Sequence, residues 1–149
     1  MAIARGAGTE IIRTASFEFD SADQISKILI IGAQHHIYTV LSLIVHAKVG
    51  GNGEFELYLE GYDSDEGTTA QNMIIFNTSI ADDDTFVWND KFSFNGFEPT
   101  DFAGPMDSAT KQDAIADQGS SVAQKLIMGK NHNSAQYEVM LTYIDQNNA

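Results

Sequence analysis

The run from Ile37 to Lys48 restricts this chain more than any other stretch. One set of alternate positions carries Ile37, Thr39, Leu41, Leu43 and Val45, and the other carries Tyr38, Val40, Ser42, Ile44 and His46. β-Branched and aromatic residues at this density read as a strand, here apolar on both faces. The run falls far short of the roughly 18 apolar residues that span a bilayer. Three glycines and an asparagine follow in Val49-Gly50-Gly51-Asn52-Gly53, supplying the positive φ values that tight turns need. Glu54 to Tyr62 then alternates, with Phe55, Leu57 and Leu59 inward and Glu54, Glu56, Tyr58 and Glu60 outward. This pattern predicts a hairpin between the two segments.

The rest of the chain follows the same period. Ile11 to Phe19 sets Ile11, Ala15, Phe17 and Phe19 against Thr14, Ser16 and Glu18, a half-buried strand preceded by an arm, so that residues 1–24 are arm and first strand. Strands are also predicted at Ile25–Ile31 and Met73–Ile80, with Thr85–Trp88 and Lys91–Phe97 flanking Asn89-Asp90 as a tight hairpin. Val122–Met128 and Ala135–Ile144 predict a C-terminal hairpin, with Tyr137, Val139, Leu141 and Tyr143 on one face. Residues 98–121 hold both prolines and read as one long irregular insertion, with a short helix from about Asp107 to Gln118. About eight short strands without a long amphipathic helix imply an all-β fold, an antiparallel β-sandwich of jelly-roll or immunoglobulin-like type. At 149 residues the expectation is a single domain over 1–149.

Charge narrows the partners. The net charge is −13, and residues 54–117 hold 15 of the 21 acids against Lys91 and Lys111 only, so the whole imbalance lies there. The expected surface is acidic over that part and balanced elsewhere. Nucleic-acid binding needs clustered cations to displace phosphate counterions, and an anionic membrane would repel such a surface. Met1 to Ser16 lacks the roughly 7–15-residue apolar core of a secretory signal, so no signal peptide and no transmembrane segment is expected.

Catalytic motifs are sparse. With no cysteine there is no thiolate nucleophile and no Cys-ligated metal site. Gly50-Gly51-Asn52-Gly53 lacks the Lys-Ser/Thr of a phosphate-binding loop, and Gly119-Ser120-Ser121 is not a nucleophile elbow. His35 and His36 would point to opposite faces of a strand, which favours a structural or capping role over chelation. Asp63, Asp65 and Glu66 place hard oxygen ligands on a turn before Gly67, which suits Ca²⁺. Ile74 stands where the twelfth-position Glu of an EF-hand would be, and a solvated acidic turn is the competing reading. Glu54, Glu56 and Glu60 form a carboxylate row beside Tyr58, the raw material of glycoside hydrolysis, but the expectation is a protein that is not an enzyme and needs no cofactor.

A sandwich has one core, so a strand greasy on both sides asks for a second cover. Tyr38, Val40 and Ile44 together would remove some hundreds of Å² from water, a few kcal/mol at about 25 cal/mol per Å². Either the 98–121 excursion or another subunit covers them. The second choice makes Tyr38, Val40 and Ile44 a contact face, with Ile3, Ile11 and Phe17 of the arm and Trp88 as further contacts.

Tyr38-Thr39-Val40-Leu41-Ser42-Leu43-Ile44-Val45-His46, the glycine turn and Phe55-Glu56-Leu57-Tyr58-Leu59 resemble small β-sandwich virion proteins of tailed bacteriophages. Thr85-Phe86-Val87-Trp88-Asn89-Asp90-Lys91-Phe92 and Val139-Met140-Leu141-Thr142-Tyr143 extend the resemblance over residues 36–97 and 122–145. The 98–121 segment and residues 1–35 depart from it. The resemblance implies a structural virion protein, assembled in the host cytoplasm. A capsid decoration or cement protein, or a neck or tail accessory protein, would contact the major capsid or other virion proteins and its own copies as a homo-oligomer, with a trimer expected. The competing class is a calcium-dependent carbohydrate-binding module using Asp63, Asp65 and Glu66, with Trp88 or Tyr58 stacking on sugar.

Overall fold

Period-two patterning turns most of the chain into strands. The computed structural model describes residues 9–20, 26–49, 53–63, 68–99, 107–110, 112–113, 121–132 and 134–147. The strands are β1 (Thr9–Phe19), β2 (Ser26–Ile31), β3 (His36–Val49), β4 (Glu54–Asp63), β5 (Thr68–Ser79), β6 (Thr85–Trp88), β7 (Phe92–Asn95), β8 (Phe97–Pro99), β9 (Ser121–Ala123), β10 (Lys125–Lys130) and β11 (Gln136–Asn147). One antiparallel sheet runs β1-β11-β3-β6, with β7 also on β3; the second runs β2-β10-β4-β5, and β8-β9 form a small pair. The chain is therefore the antiparallel β-sandwich that the pattern predicts.

The core lies between the two sheets. Val40, Leu43, Val45, Tyr137 and Leu141 of the first sheet meet Phe55, Leu57, Leu126 and Met128 of the second, all nearly inaccessible to water. Phe55 sits at its centre, with ring centroids 5.8 Å from Phe76, 5.6 Å from Phe86 and 5.1 Å from Tyr137. Pairs at these separations add to the area term. Leu57 faces inward from β4 and Phe19 from β1, as alternation predicts.

Connectivity departs from the predicted hairpins. β3 and β4 lie in different sheets and do not pair with each other. β10 and β11 are likewise split between the sheets. β6 and β7 do not pair with each other: both lie antiparallel along β3, β6 on Leu43–His46 and β7 on Ile37–Val40. Alternation tells each strand which face to bury but not which strand it pairs with, and of these strands only β4 also finds a partner next to it in the chain, β5.

The two-faced appearance of β3 has a local cause. Thr142 pairs with Ser42 and Tyr143 with Val40, so Leu41 is an extra residue without a partner in β11. This β-bulge advances the alternation by one. Before it Tyr38 and Val40 face the core, and after it Leu43, Val45 and Ala47 do. The contact face expected from Tyr38, Val40 and Ile44 is thereby corrected. Tyr38 is 4% exposed and Val40 0%, buried in the chain's own core, while Ile44 alone turns outward. Tyr38 packs on Phe94 at 5.3 Å between centroids.

Within the 98–121 excursion, the Gln112 N–H donates to the Ser108 carbonyl at 3.1 Å, one helical turn; the remainder of the helix predicted to Gln118 lies outside the described residues. His35 takes φ 63° in the turn that enters β3, a conformation His tolerates better than most residues, in line with its structural reading. At that same end three segments are tied by backbone bonds. The Gly32 N–H donates to Gln124 O (2.8 Å), Gln124 N–H to Gly96 O (2.9 Å) and Gly96 N–H to His36 O (2.8 Å). A Cβ on Gly32 would stand 1.9 Å from Gly96 O, so both positions need glycine to approach this closely. No helix among the described residues is long and apolar enough to cross a membrane.

Candidate interaction surface

The outward face of the β1-β11-β3-β6 sheet is built by the positions that alternation leaves over. Register places Val87, Ile44, Met140 and Ser16 side by side across its four strands. Val87 is 55% exposed, Met140 45% and Ile44 38%. A parallel row sets Ser93, Thr39, Ile144 and Ile12 together, with Ile12 at 71%. Ser42, Thr142 and Thr14 lie between the rows, and Thr39 and Ser93 share a 2.8 Å hydroxyl bond. A shallow depression of about 570 Å³ opens on this face beside Ser16, Ile44, His46 and Met140.

Charges close one end of the face. Glu18 and Glu138 are cross-strand neighbours, and Lys48 bonds both, with 3.1 Å to Glu138. These two hydrogen bonds hold the Lys48 ammonium above the usual lysine pKa. His46 Nδ1 lies 3.0 Å from Thr85 Oγ1 in the same row. Only two of the 13 net negative charges fall on the residues of β1, β3, β6, β7 and β11, so this sheet is nearly neutral on a strongly anionic chain.

The core side of the same sheet carries a polar node at its other end. Asp145, 8% exposed, receives Arg13 Nε at 3.2 Å and lies 2.5 Å from His36 Nδ1, joining β1, β11 and β3. His36 stacks on Tyr38 at 5.9 Å, and the Tyr38 hydroxyl accepts the Ala33 N–H at 3.0 Å. Burial raises the Tyr38 and Tyr143 pKa values above the ordinary phenol; Asp145 adds to both, and the Ala33 bond opposes it at Tyr38.

The second sheet bears a smaller trough, about 200 Å³, on its outward face. Ser26, Gly129, Glu56 and Asn77 cross it in one row of the ladder, and Glu54, Tyr58 and Asn131 also line it. Asn131 is held by two bonds: its Oδ1 accepts the Glu54 N–H (2.8 Å) and its amide donates to Glu54 Oε2 (3.2 Å). Burial, then Glu56 and Glu60, push the Tyr58 pKa up. Tyr58 and two of the three carboxylates of the predicted row thus meet at one place, with amides that alternation alone did not bring to notice.

The other predicted contact residues scatter. Phe17 and Trp88 face inward and pack half-buried against the core, and the Trp88 indole N–H is buried without a partner among the described residues. Ile11 is 45% exposed near the start of β1. Ile3, Asp65 and Glu66 lie outside the described residues, as does the Asp63 side chain. Among the described residues no three His, Asp or Glu side chains gather to hold a cation. Ile12, Val87 and Met140 were missed, although the outward parity of Met140, opposite to Val139 and Leu141, was a usable signal.

No protein-family model and no curated protein sequence matches the chain. Among solved structures the chain is similar to one of the Bacillus endospore appendages, described as disulfide-linked pili. The TM-score is 0.45 and the identity 11%, over 100% of this chain and 97% of that one. It is also similar to a chain of the infectious bursal disease virus Gx strain (TM-score 0.46, 11% identity, 93% of this chain and 32% of that one). A chain of the T13 particle of the same virus has a TM-score of 0.44 and 11% identity, over 94% of this chain and 36% of that one. The chain spans about a third of the length of the viral chains it matches.

Proposed function

We propose that this protein is a structural building block that acts by protein–protein contact rather than by catalysis, and docks through the outward face of the β1-β11-β3-β6 sheet. One observation carries the reading: Ile12, Ile44, Val87 and Met140 stand exposed together on a nearly neutral sheet, in a chain whose acids crowd elsewhere. Monomers seldom leave such a surface wet, and partners approach a −13 chain with least repulsion where charge is lowest. The finer reading is a virion component of a tailed bacteriophage, of capsid decoration, cement, neck or tail accessory type, working as an oligomer. It rests on the Tyr38–Leu59 and Thr85–Phe92 resemblance. Size exclusion with light scattering tests the reading. A mass well above 16.3 kDa that Ile44→Lys and Met140→Lys reduce supports it. A monomer at high concentration that also ignores capsids overturns it.

The Gly129 trough favours a second reading, a saccharide-binding module. A tyrosine, two amides of which Asn131 is held by Glu54, and carboxylates beside a glycine are groups that can hold a pyranose. Glucose and N-acetylglucosamine titrations that shift the Tyr58 and Gly129 resonances would promote it.

A further inference from the structure

Sheet edges differ in how they resist pairing. At the described edges, β2 is six residues long with a register break against β10. β5 shifts register twice against β4, and β6 and β7 are four-residue pieces separated at Asn89–Lys91. β1 has no such guard. Its 11 residues pair with β11 in one unbroken register, it contains neither proline nor lysine, and no described strand lies on its other side. All residues from Thr9 to Thr14 are exposed, including Ile11 and Ile12. A long, regular edge that carries exposed isoleucines is a template for another strand.

We infer that β1 pairs antiparallel with β1 of a second copy about a two-fold axis at Ile12, so that the sheet runs through both molecules. The inference rests on the assembly reading above and names the partner. Charge and face select the register. The side-chain period allows only pairings that keep each residue on its own face. An axis at Ile11 would set Glu10 against Ile12 and pair only Thr9–Arg13 of the described strand, one at Arg13 would oppose two guanidinium groups, and one at Thr14 would oppose Glu10 to Glu18 of the copy. An axis at Ala15 sets Glu18, already paired with Lys48, against Ile12, and one at Ser16 leaves Ile12 beyond the described ladder. An axis at Ile12 places the most exposed isoleucine against itself, Ile11 beside Arg13, Glu10 beside Thr14 and Thr9 beside Ala15. An antiparallel dyad stands perpendicular to the sheet, so both outward faces point the same way and merge into one ten-strand surface, five strands from each copy.

The absence of cysteine makes the register directly measurable. Ile12→Cys in the full chain brings two thiols within disulfide reach, since opposed residues in a ladder lie about 4.5–5.5 Å apart. Under mild oxidation it is expected to form a covalent dimer at least about tenfold faster than Ile74→Cys, an exposed control on β5, because pairing raises the local thiol concentration. Equal rates overturn the inference. If Ile12→Cys does not fold, a mixture of Glu10→Cys and Thr14→Cys chains reports the same register, and its failure to cross-link above the control is equally decisive. Light scattering separates the two claims: oligomers without the Ile12 cross-link discard the edge and keep the docking face, whereas a monomer discards both.

Discussion

The two halves of β3 use opposite parities to reach the same core. From Ile37 to Val40 the even-numbered residues are buried; from Leu43 to Ala47 the odd-numbered ones are. β7 lies along the first half and β6 along the second, and Leu41 is the extra residue between them. An apolar pattern on both sides of a strand therefore does not require two cores or a second chain. A single bulge in an otherwise one-sided strand produces it, and the true outward apolar surface is assembled from several strands instead.

The severest way to break this comparison is to delete Leu41. Without the extra residue one half must turn its core side chains to water, and the cooperative thermal transition is expected to be lost, a cost above about 4 kcal/mol. Circular dichroism melts report it. A matched pair sharpens the contrast. Val40→Asp buries an unpaired carboxylate and is expected to destabilise by about 4 kcal/mol or more, whereas Ile44→Asp, four residues on but facing outward, stays within about 1 kcal/mol and instead weakens oligomers. Similar urea midpoints for the two variants would contradict the bulge.

Alkaline pH loads both halves at once. Burial raises the pKa of Tyr38, Tyr58, Tyr137 and Tyr143, and Lys48 is raised by its bonds to Glu18 and Glu138. All five groups hold their protons more tightly folded than unfolded. Their contribution is complete below the unfolded values near pH 10 and declines as pH climbs through the folded values. Urea midpoints should be flat in this respect up to about pH 9 and fall beyond about pH 10, with tyrosinate absorbance rising as the chain unfolds. The smallest effect is expected at Tyr137, whose buried hydroxyl has no partner among the described residues. Tyr137→Phe removes a desolvated polar group while keeping the ring against Phe55, so it should be neutral or stabilising by up to about 1 kcal/mol.

Much of the architecture was legible from alternation. β4 and β11 bury, wholly or in part, the residues that period-two spacing assigns to the core, and β1 does so fully only at Phe19, because one buried face is enough to impose that pattern. Partner choice was not legible. Ile37–Lys48 and Glu54–Tyr62 look like a hairpin since glycine turns and alternating flanks also suit a crossing between sheets, and local sequence does not encode which distant strand completes each ladder. The bulge was hidden for a related reason: Leu41-Ser42 bears no glycine or other mark, and only the pairing with Thr142 and Tyr143 reveals the added residue. Consequently Tyr38 and Val40 read as surface residues yet lie in the core, while Ile44 faces outward.

The tie among Gly32, Gly96 and Gln124 governs the order of events as the chain acquires its shape. Its backbone segments come from positions 32–36, 96 and 124, so the full set of bonds forms only when all three are in place. Bringing together points so far apart in sequence is slow, so this corner is expected to close late rather than nucleate. The β4–β5 pair, by contrast, joins neighbours in the chain and can zip early. A side chain at either glycine would jam the final latch after most of the protein had already been built, leaving a nearly finished sandwich with one end ajar.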